Sequence, residues 1–551
     1  MNRQRACDII PRAVETPGSG IPSETAPGPG GPRAHAAALG VLLLTVYLSD
    51  GGFVATSDAL PNAYLGISLL REGNLSFTPE EMPFMFRWSV REGERWKPVG
   101  IRRWDQRIEG VPAEELRREG GLRLEEPRYY LAPSSREGEY VGIYGPGPGL
   151  AAAPVVAAGM LVLGDPRGDL WAVGWLGKAA ACLLVAGSAV LLFLAVAGRA
   201  SLRAAWLLAG AYGLGTCVWS QSSQALWQQT PVLFFLSLGA WALLREPSTL
   251  LRRGLCGFGV GAAVLCRPTW GILLVALTLW LLKTDRRGLA AYALGAAAPL
   301  LALAAYAAVY LESIFDFGQM DAAADVALTK TGSMDVWQTP PWEGAAGILL
   351  SPARGLFVYS PFLAFAGWGV WASWRERNFS SLRIVGLAVA GLLLLSFRWF
   401  DWWGGHSFGY RLIVDASPLL ALLILPVADR ILSRPPARWT FAGLALWSLA
   451  LQFLGAFAYD QDGWNARARG YEVRVPGELK PRVAASPAEA EALASRTRGE
   501  VTGRHRMDVD RAEYRHRLWS LRDNPIAYYA LHFSESRAAR SARLRALRGD
   551  R

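Results

Sequence analysis

The sequence predicts a polytopic, all-α membrane protein, and three observations carry that expectation. Of the 551 residues, 52% are hydrophobic and only 19% are charged, whereas a soluble chain usually carries about 25% charged residues. The apolar residues are gathered into long Ala, Leu, Val and Gly runs. Short Arg-rich links separate the runs, as expected where each crossing takes about 20 mostly apolar residues. A set of ordinary globular cores is excluded.

The net charge of +11 would suit nucleic acid, because Lys and Arg neutralise phosphates. Here most basic residues sit in links and tails, so they read as orientation signals, and no nucleic-acid partner is expected. Cys182, Cys217, Cys256 and Cys266 lie in or beside apolar runs, Cys7 is in the N-terminal tail, and the polar regions 50–147 and 460–551 contain none. Neither a disulfide framework nor a CxxC metal site can be built from that set.

In chain order, residues 1–34 mix Arg3, Arg5, Arg12 and Arg33 with many Pro and Gly and read as a disordered cytoplasmic tail. The run 36–48 is short and follows basic residues like a signal-peptide core, but no small-x-small cleavage site follows, so it reads as an uncleaved first span. A transmembrane region is expected over 35–459, with further runs at 173–197, 204–219, 230–244, 254–268, 270–283, 288–310, 355–374, 381–397, 412–431 and 438–459. The run 149–164 is ambiguous. The links GRASLR (198–203), REPSTLLRR (245–253), KTDRRG (283–288), RERNFSSLR (375–383) and SRPPAR (433–438) fall on one side only if it does not cross. Short basic loops stay cytoplasmic, so 149–164 is expected to be a re-entrant or surface-lying outer helix. That makes about eleven spans, with the N terminus inside and residues 460–551 outside.

This topology collects the polar and aromatic segments on the outer face: loop 50–147, WSQSSQALWQQTP (219–231), the turn RPT (267–269), loop 311–354, RWFDWWGGHSFGYR (398–411) and the C-terminal region. Chemistry is expected there. The C-terminal region mixes charges with Pro and aromatics before a basic run that is either an amphipathic helix or disordered. No internal repeat is evident, which weakens a transporter reading.

In the first loop, SDGGFVATSDALPNAYLGISLLREGNLSF (49–77) places Asp58 just before a helix-like stretch with Tyr64, Ile67 and Leu70 on one face. Asp58 either caps that helix, serves as a general base, or does both. A first span followed by an acidic residue, a Tyr and an LLREGNL-type helix end resembles the GT-C glycosyltransferases. These are polytopic enzymes, protein mannosyltransferases and lipid A aminoarabinose transferases among them, that use sugars carried on polyprenyl phosphate. The resemblance covers about residues 36–300 and includes the surface helix after YGPGPGL (144–150). It implies a GT-C-like helical bundle in an inner membrane, Asp58 as catalytic residue, and a lipid-linked donor sugar passed to an acceptor glycan, lipid or protein. The Asp-Glu pair common in the family is Asp58-Ala59 here, so the second carboxylate is missing. No cofactor is expected, and a divalent metal is not favoured.

A single carboxylate suits that chemistry. A lipid phosphate leaves as a stable anion, so one base for the acceptor hydroxyl plus cations around the phosphate suffice. Arg267, Arg354, Arg398 and Arg411, all near predicted outer span ends, are the candidate cations. Trp402 and Trp403, with their aromatic neighbours in 398–411, form either an interfacial belt or a sugar subsite. Asp401 and His406 are placed to bond hydroxyls, and a lone His makes no zinc site. Trp219, Gln224, Trp227 and Gln228 are expected mainly to pack and to satisfy helix ends. A transporter or lipid flippase, and a scaffold that keeps the fold without activity, are the competing readings.

Overall fold

The computed structural model describes residues 31–313, 319–478 and 481–548. The chain is mostly helical, and four helices are long and apolar enough to cross a membrane: Leu170–Ala197, Arg286–Tyr310, Arg411–Ser433 and Pro435–Ala458. Shorter apolar helices are Pro32–Leu48, Gly147–Leu163, Gln229–Leu244, Pro268–Thr284 and Ser380–Ser396. Helix Leu250–Cys266 packs tightly on Arg286–Tyr310 through glycines. A Cβ added at Gly257 would lie 1.9 Å from the Tyr292 carbonyl oxygen, so only glycine permits this approach.

Two sequence expectations need correction. The proposed disordered tail, 1–34, falls outside the described residues up to 30, but Pro32–Ala34 already belong to the first helix, with Pro32 in its first turn. The fold is also not all-α. Within loop 50–147, Phe86–Glu92 is the central strand between Arg95–Val99 and Leu122–Pro127, both antiparallel to it. In the C-terminal region Ala466–Arg474 is central between Glu500–Asp508 and Arg482–Ala484. Polar segments outside an apolar bundle must satisfy their own backbone groups, and short sheets do so.

The loops segregate to two poles. At one pole the basic links bond to one another: Arg199 reaches the Leu244 carbonyl and Glu246, Ser201 bonds Asp429, Arg430 pairs with Glu376, and Arg253 with Asp285. At the other, Val54 N–H donates to the Gln224 carbonyl (2.9 Å), the Asn62 amide to the Leu226 carbonyl (2.8 Å) and the Ser351 hydroxyl to the Leu518 carbonyl (2.6 Å). Both ends of helix Gly147–Leu163 sit at this second pole. Gly147 abuts Cys266, and Asp165, just past the other end, accepts from Arg71 beside Arg167 and Glu72.

The C-terminal basic run is a helix, Phe533–Arg548, and it is anchored by charge. Arg540 reaches Asp50 at 2.5 Å and the Ala456 carbonyl, and Asp50 also pairs with Lys178. Asp50 and Lys178 are completely buried, and Gln224 accepts from both cations at 3.1 Å. A buried carboxylate without cations is costly, and so are two cations without it. Asp50→Ala is therefore expected to destabilise the protein by about 3–5 kcal/mol and to expose the C-terminal helix to protease. Thermal unfolding and limited proteolysis in detergent check both effects.

Candidate active site

A cavity of about 380 Å³ opens at the pole where the non-basic loops converge. Asp58, Arg267, Asp401, His406 and Arg411, all singled out by sequence, line it together. So do Tyr130, Tyr144, Trp227, Trp337 and Trp399, which give it aromatic walls.

Asp58 does not cap the helix that follows. The cap position of Leu60–Arg71 is Ala59, with no side-chain capping bond, and it is the Thr56 hydroxyl that accepts the Ala59 N–H, at 3.1 Å. The Asp58 backbone carbonyl accepts from Asn62 at 3.2 Å, which steadies the turn. Its carboxylate is left for the cavity, where Oδ2 accepts from Arg411 Nη1 at 2.6 Å, across 353 positions of sequence.

Arg411 is held independently of that pair. Its Nε and Nη2 donate to the Gly404 carbonyl at 3.2 and 2.7 Å, and the guanidinium lies over Trp227, 4.5 Å from the ring centroid. Gly404 and Gly405 adopt φ of 68° and 62°. This left-handed turn, disfavoured for other residues, folds the carbonyl back onto the arginine. Trp227 therefore forms part of the site, where sequence gave it mainly a packing role. Gln228 also lines the cavity, bonded to Gln319.

Arg267 reaches the cavity but is already committed. It makes two bonds to Asp415, at 2.8 and 2.7 Å, and Trp270 Nε1 donates to the same carboxylate at 2.8 Å. Arg354 does not line the cavity. It is buried among the carbonyls of Trp403, Ala353 and Gly405 and the Asn465 side chain, where it stitches the aromatic loop to the C-terminal region. Arg398 likewise turns away, donating to the Trp337 carbonyl at 2.9 Å. Tyr64 packs on Phe84 with its hydroxyl near the Arg167 carbonyl, away from the cavity. Trp402 lies against Gly347 and Trp519, and Trp403 sits behind the wall with its Nε1 on Asp510. Those five residues, expected at a substrate site, are engaged outside the cavity lining by hydrogen bonds and packing. Trp219 and Gln224 do pack, Trp219 edge-on against the adjacent Phe453 and Phe457 rings and Gln224 in the Asp50 cluster.

Sequence missed Lys330 and Asp510. Lys330 Nζ lies 2.9 Å from Asp401 and 3.0 Å from Asp510, and all three line the cavity. Burial pulls the Lys330 pKa down, but the charges of Asp401 and Asp510 outweigh this and raise it. Asp510 feels burial first as an upward pull, yet Lys330 and His406 hold it below the usual carboxylate range. His406 is not isolated: its Nε2 is 2.8 Å from Asp508 and 3.8 Å from Asp510. The three side chains are close enough to hold a metal ion. An ion there would have to displace Lys330 from Asp510 and take the nitrogen that bonds Asp508.

Burial lowers the His406 pKa, but the hydrogen bond to Asp508 and the charges of Asp510 and Asp508 raise it further. A raised pKa means that the protonated pair stabilises the fold fully below about pH 6.5, the ordinary histidine value. That stabilisation is lost as pH rises through the raised value. The melting temperature is expected to fall as pH climbs past about 6.5, and His406→Gln to flatten that dependence, as followed by unfolding scans across the range.

Comparison with known protein families returns no match for this chain, and comparison with curated proteins returns none either.

Proposed function

We propose that the protein is a membrane glycosyltransferase of the GT-C kind, with about eleven spans, an inner-membrane location and the Asp58 cavity on the extracytoplasmic face. It transfers a sugar from a polyprenyl-phosphate donor to an acceptor hydroxyl on an envelope glycan, lipid or protein. The observation that carries this reading is the meeting of Asp58 and Arg411 in one aromatic-walled cavity.

Asp58 takes the proton of the acceptor hydroxyl as its oxygen forms a bond to the anomeric carbon. The bond from that carbon to the phosphate oxygen breaks, and the electron pair leaves with the lipid phosphate. A single displacement of this kind inverts the anomeric centre. The phosphate departs as a stable anion, so no general acid is needed, and a cation facing it stabilises the developing charge. Arg411 supplies that cation. Trp337 and Trp399, with ring centroids 5.2 Å apart, offer aromatic faces to a sugar, while Lys330, Asp401 and His406 offer polar atoms to its hydroxyls. Met320, Val326, Leu395 and Leu412 on the same cavity suit the first isoprene units.

Asp58→Asn keeps the shape and removes the base. Purified Asp58→Asn is expected to transfer sugar at least about 100-fold more slowly than the parent, the usual size of a general-base contribution. Radiolabelled product formation from a lipid-linked sugar measures it, and transfer at the parental rate would refute the assignment. In cells, loss of the protein should accumulate a polyprenyl-linked sugar and leave one envelope acceptor under-decorated by mass spectrometry.

A further inference from the structure

We infer that Asp58 and the donor phosphate compete for the Arg411 guanidinium, so that donor arrival is what frees the base. The inference rests on the transferase reading and adds an order of events to it.

Three Lys or Arg side chains line the cavity among the described residues, and each already holds a carboxylate: Arg267 with Asp415, Lys330 with Asp401 and Asp510, Arg411 with Asp58. An anionic ligand that approaches any of these cations meets a carboxylate already bonded to it, and a two-pronged contact on the outer edge of Arg411 needs Nη1, the nitrogen that Asp58 holds. The three pairs differ in how firmly they are held. Asp415 is fully buried, accepts two bonds from Arg267 and a third from Trp270. Releasing it would strand a carboxylate out of water. Lys330 would have to part from two carboxylates. Asp58 is held by one hydrogen bond, and it and Arg411 keep 16% and 14% of their side-chain surface exposed. Asp58 is the partner that yields.

Arg411 can remain in place when it does. The Gly404 carbonyl takes Nε and Nη2, and Trp227 backs the ring face. The outer edge, carrying Nη1 and the second Nη2 hydrogen, is left for a phosphate in the two-pronged geometry that arginine favours. While Nη1 donates to Oδ2, that carboxylate oxygen is engaged by the cation. Once phosphate has taken Nη1, Oδ2 is free to accept the acceptor's hydroxyl proton. When the lipid phosphate leaves after transfer, Arg411 returns to Asp58 and the proton passes to water. Donor therefore binds before the acceptor is activated.

The test is binding of polyprenyl monophosphate, without sugar, to the purified full-length protein in micelles, with neutral polyprenol as the control. The parent should prefer the phosphate, and Arg411→Gln should lose that preference. Asp58→Asn and Asp58→Ser should bind the phosphate about five- to tenfold more tightly than the parent, with polyprenol affinity unchanged. A carboxylate that only braces the loop would give the opposite sign. Tighter binding in either folded variant supports competition, and equal or weaker binding in both overturns it. If the parent does not distinguish phosphate from alcohol, the transferase reading fails as well. If it does so through Arg411 while the Asp58 variants bind no more tightly, the competition alone fails.

Discussion

A carboxylate removed from water must meet a cation, and at one pole of this bundle that requirement ties distant parts of the chain together. Asp50 gathers Lys178 from a long apolar helix and Arg540 from the last helix. Asp415 holds Arg267 at the tip of a helical turn. Asp58 meets Arg411, and Asp401 with Asp510 surrounds Lys330. The fully buried carboxylates, Asp50 and Asp415, would be costly to leave without their cations. The loops between the apolar helices are therefore arranged as one assembly.

That assembly separates structural from chemical duty at the first loop. The Thr56 hydroxyl accepts the Ala59 N–H and the Asn62 amide is bonded to the Asp58 backbone carbonyl, so the Asp58 carboxylate is surplus to local structure. A carboxylate not required by its own turn and directed into an aromatic cavity is open to the general-base role proposed for it. Arg354 illustrates the contrary case. It too lies against the aromatic loop, yet backbone carbonyls and Asn465 absorb it.

The C-terminal region belongs to the same assembly. Asp510 lines the cavity, Asp508 bonds His406, and Arg515 donates to the Lys330 carbonyl at 2.6 Å. Trp403, on the aromatic loop, is fixed by Asp510 and lies beneath Lys330 and Arg515. Through these contacts the last strand, Glu500–Asp508, and the turn after it shape one wall of the cavity.

The helical runs were legible because apolar length and basic links are local properties, read within about 20 residues. Asp58, Arg267, Asp401, His406 and Arg411 were legible as charged or polar residues at the ends of those runs. Lys330 and Asp510 were not, because neither belongs to a local motif and each acquires meaning only from partners far away in sequence. The short sheets in 50–147 and 460–551 were also missed, since their strands alternate weakly and pair across turns and helices. By itself, then, the sequence determined that the chain is a bundle of apolar helices joined by basic and polar links, because hydrophobic segregation needs no partner. Which arginine faces the carboxylate of Asp58, and which are spent on carbonyls or on Asp415, was decided only by tertiary structure, because an ion pair depends on distance in space.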